Sequence, residues 1–450
     1  MADVSADGFM VWIAHREPIN QRGRMQTLIY ATNTVGQILI NILILIGFSG
    51  PQTNCPGYEP DPTIPCTQDS RIVLRNDLSS AFPNEWCHLK CHNATFSWDL
   101  SIPAFALIIA AVNLTSIPLY AILKEERTSP EAVGSFLKSF WQQIQRRATW
   151  QILLYSMVSH ITFGVENAAK TSANYVLLDL HTSQYQMMIL MEKCIFFVGI
   201  TFIRRYALHL SWRKMMIAGS TLVTCFNGLY FLIIFDVLRN PWFYIFTDVS
   251  SKFIFTLNFL ASLFCMVEVA EPGYEAITYS LITTAGNAVA PLSSVISYQF
   301  LAFFPELATQ ESIATDTPQV RHEFATLHAI TIVINLTSLF SLPLLPRQKK
   351  ETRELVASGE KSKFWGAFAL LSGLTFLIYS TIVTFVTVAL HDVYGCFMIF
   401  GGTGCSAEES PAPARFLVVA SLLYCYVVNF YLSYLPILRG KKRSLRDLFL

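Results

Sequence analysis

Long apolar runs, interrupted by short charged connections, set the pattern of this chain. A bilayer-crossing helix needs about 20 largely apolar residues. Ten runs meet that length: 26–49, 99–122, 149–169, 184–203, 215–236, 242–267, 276–304, 323–345, 364–390 and 416–437. An eleventh, 3–14, is shorter. The pattern predicts an all-α polytopic membrane protein. In the opening stretch "MADVSADGFMVWIAHREPINQRGR", Asp3 and Asp7 sit among Val, Phe, Met, Trp and Ile before a burst of charge. Carboxylates embedded in an apolar helix predict that the chain begins partway along a span and that these acids line a path through it.

Composition sharpens the class. Of 450 residues, 53% are hydrophobic and 14% charged, against about 25% charged in soluble domains. The net charge of +1 gives no pointer to nucleic acid. The 32 Lys and Arg residues are unevenly placed: 23 fall in alternate connections (15–25, 123–148, 204–214, 346–363, 439–450), seven in the others, and Lys193 and Lys252 within spans. The positive-inside rule puts the basic connections and the C-terminus in the cytoplasm. The 50–98 connection is then extracytoplasmic, with Cys55, Cys66, Cys87, Cys91 and the sequon at Asn93. Cys396 and Cys405 fall on the same side, where oxidising conditions permit disulfides. Pairing of Cys396 with Cys405 is expected; the other four cysteines allow three pairings. These features suit a plasma membrane or endomembrane. Phe136, Leu137, Phe140, Trp141 and Ile144 recur at helical spacing in the 123–148 connection, which predicts an amphipathic helix lying on the bilayer or packed on the bundle.

Two stretches match internally. "DVSADGF" (3–9) and "EVAEPGY" (268–274) share an acid, Val, a small residue, Gly and an aromatic in corresponding places. Both are expected near the same end of a span running inward, which would relate two half-bundles as in major-facilitator transporters. "DVSADG", "RGRMQTLIY" and "VEVAEPGYEAITYSLITTAGNA" resemble the folate–biopterin transporter family of the major facilitator superfamily, in particular its protist branch, over roughly 1–345. The resemblance implies a major-facilitator-type helical bundle, N-terminally truncated by three helices, with two extra C-terminal transmembrane helices. Its divisions would be 1–122, the remnant of the N-terminal half; 123–148, the inter-half linker; 149–345, the C-terminal half; and 346–450, a linker, two accessory helices and a basic tail. It implies carriage of pteridines such as folate or biopterin.

Ionisable groups in hydrocarbon cost at least about 2.5–3.5 kcal/mol and mark interior faces. Asp3 and Asp7 share a helix face, and two acids so close hold one proton between them, which suits a coupling proton or a cationic substrate group. A structural salt bridge to Arg22 or Arg24 is the alternative. Glu166 and Asn167 fall near a span end, where solvation explains them. Glu192 and Lys193 are adjacent near mid-span and point about 100° apart, so one is expected to face substrate or coupling ion and the other a neighbouring helix. Glu268, Glu271 and Glu275 cluster at the basic end. Glu268 and Glu271, with Arg22 and Arg24, are gate candidates. Asn33, Gln37, Asn258, Thr283, Thr284 and Asn287 offer hydrogen bonds to a heterocycle edge or between helices. Phe163, Phe255 and Phe259 have rings that could stack on a flat solute, but with 34 Phe in the chain a lipid-facing or core place is the usual one for any of them.

The chain has no G-x-x-x-x-G-K-[ST], H-E-x-x-H or G-x-S-x-G motif and no paired C-x-x-C framework. These motifs would signal nucleotide-driven pumping, metalloprotease or hydrolase chemistry. No cofactor or metal is implied, and the expectation is a secondary transporter rather than an enzyme. A carrier of another small solute and a non-transporting membrane protein are the competing readings.

Overall fold

The computed structural model describes residues 2–18, 23–48, 52–53, 70–72, 87–90, 98, 100–122, 133–180, 182–270, 273–389 and 412–434. Among the described residues six helices are long and apolar enough to cross a membrane: Arg24–Gly47, Ser183–Ala207, Trp212–Ile234, Pro241–Val269, Pro318–Leu344 and Lys363–Val386. The chain is thus a multi-pass α-helical membrane protein. In the 50–98 connection three short antiparallel strands, Gln52–Thr53 (β1), Ser70–Ile72 (β2) and Cys87–Lys90 (β3), pair in the order β1-β3-β2.

The helices group into two compact units. The smaller comprises 34–132 and 180–194. Here the last turns of α2 (Arg24–Gly47) meet α3 (Ile102–Ile122). Gly47 lies against Leu100, Leu100 N–H donates to the Gly47 carbonyl, and Phe48 meets Phe105 edge-on at 5.3 Å.

The larger unit comprises 1–33, 133–179 and 195–450. It holds α1 (Ala2–Arg16), α4 (Val133–Ile144), α5 (Arg147–Phe163), α6 (Lys170–Leu177), and the end of α7 (Thr182–Phe202). It continues with α8 (Trp212–Ile234), α9 (Pro241–Val269), α10 (Glu275–Ala288), α11 (Ala290–Leu301), α12 (Gln310–Ala314) and α13 (Pro318–Thr337). Last come α14 (Lys349–Ala357), α15 (Lys363–Ala389) and α16 (Ala412–Asn429).

Local chemistry sets several starts. Asn240 Oδ1 accepts from Trp242 N–H ahead of Pro241 at the first helical position of α9. Thr317 caps α13 with Pro318 in the same place. An N-cap acceptor satisfies one orphan N–H, and proline has none to lose there. The core is apolar and continuous, with Ile152, Leu153, Met157, Val158 and Ile161 of α5 buried against Tyr279, Ile282 and Leu292 of α10 and α11.

Three expected spans differ. The 149–169 run is helical only to Phe163, and 164–169 is irregular before α6. The 276–304 run is divided at Val289, next to Pro291. The 323–345 run tightens to a 3₁₀ turn over Ser338–Leu344, which contains Pro343. Proline explains the last two, since it lacks an N–H and crowds the preceding turn.

The repeat also shifts register. "DVSADGF" lies inside α1, whereas "EVAEPGY" starts with the last two residues of α9, Glu268 and Val269, and runs into the next connection. Gly8 is helical and packed on Ala276, while Gly273 has φ +86°. Positive φ suits glycine, which has no Cβ to clash. The match of Asp3 with Glu268 is therefore not a match of place. Gly23, with φ +104°, is the better counterpart of Gly273: each follows a helix and gives its N–H to a glutamate, Glu17 or Glu275, at 2.9 and 2.8 Å.

The amphipathic helix divides between its two readings. Val133, Phe136 and Leu137 of α4 are exposed, whereas Gln143 and Ile144 are buried. The two C-terminal helices pack on the core. Trp365 stacks on Trp150 at 5.7 Å, Ala369 is buried, and Phe368 of α15 stacks on Tyr424 of α16 at 5.8 Å. The basic connections pair: Arg147 N–H donates to the Glu360 carbonyl and Ser362 N–H to the Gln145 carbonyl, both at 2.8 Å, with an Arg147–Glu360 ion pair beside them.

At the ends remote from these connections, Arg239 and Arg321 clasp Asp316, which sits in the turn before α13 at φ +48°. Hydrogen bonds from Arg239, then Arg321, hold the Asp316 carboxyl well below the usual carboxylate range. A depressed pKa contributes stability above the unfolded-state value and loses it as pH falls. Asp316→Asn is expected to lower stability at pH 7 by about 2 kcal/mol, as for a hydrogen bond to a charged group. Its deficit should shrink as acid unfolding proceeds from about pH 4 downward. Melting temperatures of both proteins across that range check this.

Candidate functional site

One face of α9 organises the site. Asp248, Lys252, Phe255 and Phe259 are spaced by four, three and four residues, so they follow one helix face over about 16 Å at 1.5 Å per residue. Phe255 stacks on Phe163 of α5 at 6.1 Å and 24°, and on Phe259 at 6.3 Å and 17°. Phe259 meets Tyr30 of α2 edge-on at 5.5 Å and Phe196 of α7 at 5.7 Å. The result is a row of rings reaching from the end of α5 to the start of α2. Phe255 is 38% exposed, which leaves ring surface uncovered at the middle of the row. Offset stacking of this kind suits a planar aromatic guest as well as another side chain.

A buried amide lies beyond each end of the row. Gln26, one turn before Tyr30 on α2, is fully buried, and neither amide atom has a partner among the described residues. Asn167, four residues after Phe163, is 7% exposed, and its Nδ2 has no acceptor among the described residues. Native buried polar groups are nearly always hydrogen-bonded, so each exception calls for a partner such as an ordered water or a ligand.

At the Asp248 end, Lys170 Nζ lies 3.0 Å from Asp248 Oδ1, with the side chains 25% and 14% exposed. The ammonium lies over the rings of Tyr230 and Tyr244, 5.2 Å from each centroid. Tyr230 Oη donates to Asn174 Oδ1 at 2.7 Å.

At the opposite end the helices close on one another. Tyr30 and the fully buried Tyr279 share a 2.8 Å hydroxyl–hydroxyl bond. Gly8 lets α1 approach α10 so closely that an added Cβ would stand 2.4 Å from that of Ala276. His15 Nδ1 lies 3.8 Å from Glu275 Oε1, and its Nε2 bonds the Val267 carbonyl at 2.9 Å. Arg353 of α14 donates to the buried Glu268 at 3.1 Å. Glu17 accepts from Gly23 and Met25 N–H at the head of α2.

The sequence-predicted residues distribute unevenly over this geometry. Phe163, Phe255 and Phe259, named as ring-stacking candidates, come together. Glu268 takes an ion pair with Arg353, while Arg24 is exposed. Asn33 and Asn287 are exposed, and Gln37 is half-buried with its carbonyl accepting from Asn41. Thr283 Oγ1 donates to the Tyr279 carbonyl of its own helix. Glu192 and Lys193 are half-buried on α7, in the smaller unit. The side chains of Asp3, Asp7, Asn258 and Cys87, and all of Arg22, Glu271, Asn93, Cys55, Cys66, Cys91, Cys396 and Cys405, lie outside the described residues.

Asn167 is buried rather than solvated, because the helix breaks before reaching it; Glu166 beside it is exposed. Sequence reasoning missed the Lys170–Asp248 pair. Lys170 counted only as a connection charge. Asp248 stood as the one acid in its apolar run, four residues before Lys252 and in line with Phe255 and Phe259, a signal that could have found it. Among the described residues no cluster of His, Cys, Asp and Glu is arranged to hold a metal. In comparisons with protein-family models, curated proteins and solved structures, nothing matches the chain.

Proposed function

We propose that this protein is a secondary active transporter of a flat, pteridine-like heterocycle, working by alternating access in a major-facilitator-type bundle. The observation that carries the reading is the row Phe163–Phe255–Phe259, which leaves ring surface uncovered along a helix face that also bears Asp248 and Lys252. The close approach of α1 and α10, with the Tyr30–Tyr279 bond, supports a closed gate at the end of the basic connections. With those connections on the cytoplasmic side, this would be the cytoplasmic gate. Alternation would part α1 and α2 from α10 and open that gate. Asp3 and Asp7 would hold the coupling proton.

The test is uptake of radiolabelled pterin, folate and biopterin into proteoliposomes containing the full chain, with and without an imposed proton gradient. Uptake above empty liposomes, raised by the gradient, is expected. Phe255→Ala should raise KM about five- to tenfold, the loss of one stacked ring at about 1–1.5 kcal/mol. Absence of both uptake and binding for all three pteridines would overturn the reading and favour a non-transporting membrane protein.

A further inference from the structure

The interruption between α5 and α6 is a constructed break. Gly164 N–H closes α5 on the His160 carbonyl at 2.9 Å. Ser293 Oγ of α11 donates to the His160 and Ile161 carbonyls, each at 3.3 Å. Ser297 Oγ of the same helix accepts the Glu166 N–H at 2.9 Å. The Asn335 amide of α13, oriented with its nitrogen toward the break, donates to the Thr162 and Val165 carbonyls at 2.8 and 3.0 Å. Side chains from two neighbouring helices thus serve the freed backbone. Irregular backbone at membrane depth persists only where protein or a water-lined cavity satisfies it.

One group is left out of this arrangement. Asn167 Oδ1 accepts the Ala169 N–H at 3.0 Å and so heads α6, which fixes the amide's orientation. Its Nδ2 is then a buried donor with no acceptor among the described residues. Phe163, the residue that ends α5, belongs to the aromatic row. Lys170, the first residue of α6, has its charge matched by Asp248. The missing partner is therefore a neutral acceptor rather than an anion.

We propose that Asn167 is a solute-recognising residue: its Nδ2 donates to an acceptor atom, a ring nitrogen or exocyclic oxygen, on the edge of a planar heterocycle stacked on the Phe163–Phe255 rings. The inference rests on the transport reading above and names a specificity determinant within it. Because Nδ2 is sealed here, α6 must shift to admit the solute. This is an eight-residue helix pinned by Lys170–Asp248 and by Asn174–Tyr230. Discontinuous helices are where membrane transporters build such sites.

The test measures binding of unsubstituted pterin to the purified full chain by calorimetry. Asn167→Asp keeps an oxygen to head α6 while it replaces the amide donor by a carboxylate oxygen, and Asn167→Ala removes donor and acceptor without adding a charge. Asn167→Asp and Asn167→Ala are expected to weaken binding about tenfold or more, as when a site built to hydrogen-bond loses its donor. Pterin should also slow hydrogen–deuterium exchange of the wild type at 164–170, a measurement that needs no variant. Asp-variant affinity equal to wild type, or protection absent from 164–170 while pterin binds, would overturn the inference and leave the transport reading standing. Failure of wild-type protein to bind pterin would overturn both.

Discussion

Replacing Lys170 with methionine should destabilise the protein by about 2–3 kcal/mol, below the full 3–5 kcal/mol of a broken buried pair. The discount reflects the quarter of the Lys170 side chain that remains exposed, where solvent screens the charge. The cost falls on Asp248, which loses its 3.0 Å ion pair with Lys170. Removing both charges together, in Lys170→Met with Asp248→Leu, should recover most of the loss, because two buried charges cost desolvation that an apolar pair does not. Thermal unfolding of the three proteins in one detergent distinguishes the cases. A single variant that melts with the wild type would mean that the pair contributes nothing.

Gly8→Val is the second large effect. Any Cβ at this position meets the Ala276 Cβ at 2.4 Å and its Cα at 3.1 Å. Neither neighbour is the far end of a flexible side chain, so α1 and α10 must separate. Overpacking of this kind costs about 1–3 kcal/mol. The separation would also stretch the His15–Glu275 contact, which joins the same elements. Gly8→Ala should cost less, and Ala276→Gly should rescue it by vacating the space. Gly36→Ala, where an added Cβ meets nothing within 4 Å, is the neutral control. A Gly8→Val protein with wild-type melting behaviour would show that these helices do not touch.

The apolar runs alone sufficed for the class, since length and hydropathy decide which segments leave water. They did not reveal where helices break. The interruption after Phe163 depends on Ser293, Ser297 and Asn335, which lie well over a hundred residues away and have no local signature. For the same reason Asn167 read as a solvated end. Among 34 phenylalanines nothing local singles out Phe163, Phe255 and Phe259, and that they form one row is a tertiary fact. The repeat misled because seven residues of similar type do not fix register. The glycines at positive φ, Gly23 and Gly273, mark corresponding turns more faithfully, since only backbone geometry demands them.

The stacking of Trp365 on Trp150 sets a timetable for biogenesis. The two rings are about 200 residues apart in the chain, so at 5–20 residues per second a ribosome needs on the order of 10–40 s to deliver the second after the first. Throughout that interval the α5 surface destined for α15 must be sheltered by lipid or by the insertion machinery. A nascent chain stalled before residue 363 should therefore leave Trp150 open to an insertase crosslinker that the finished protein excludes.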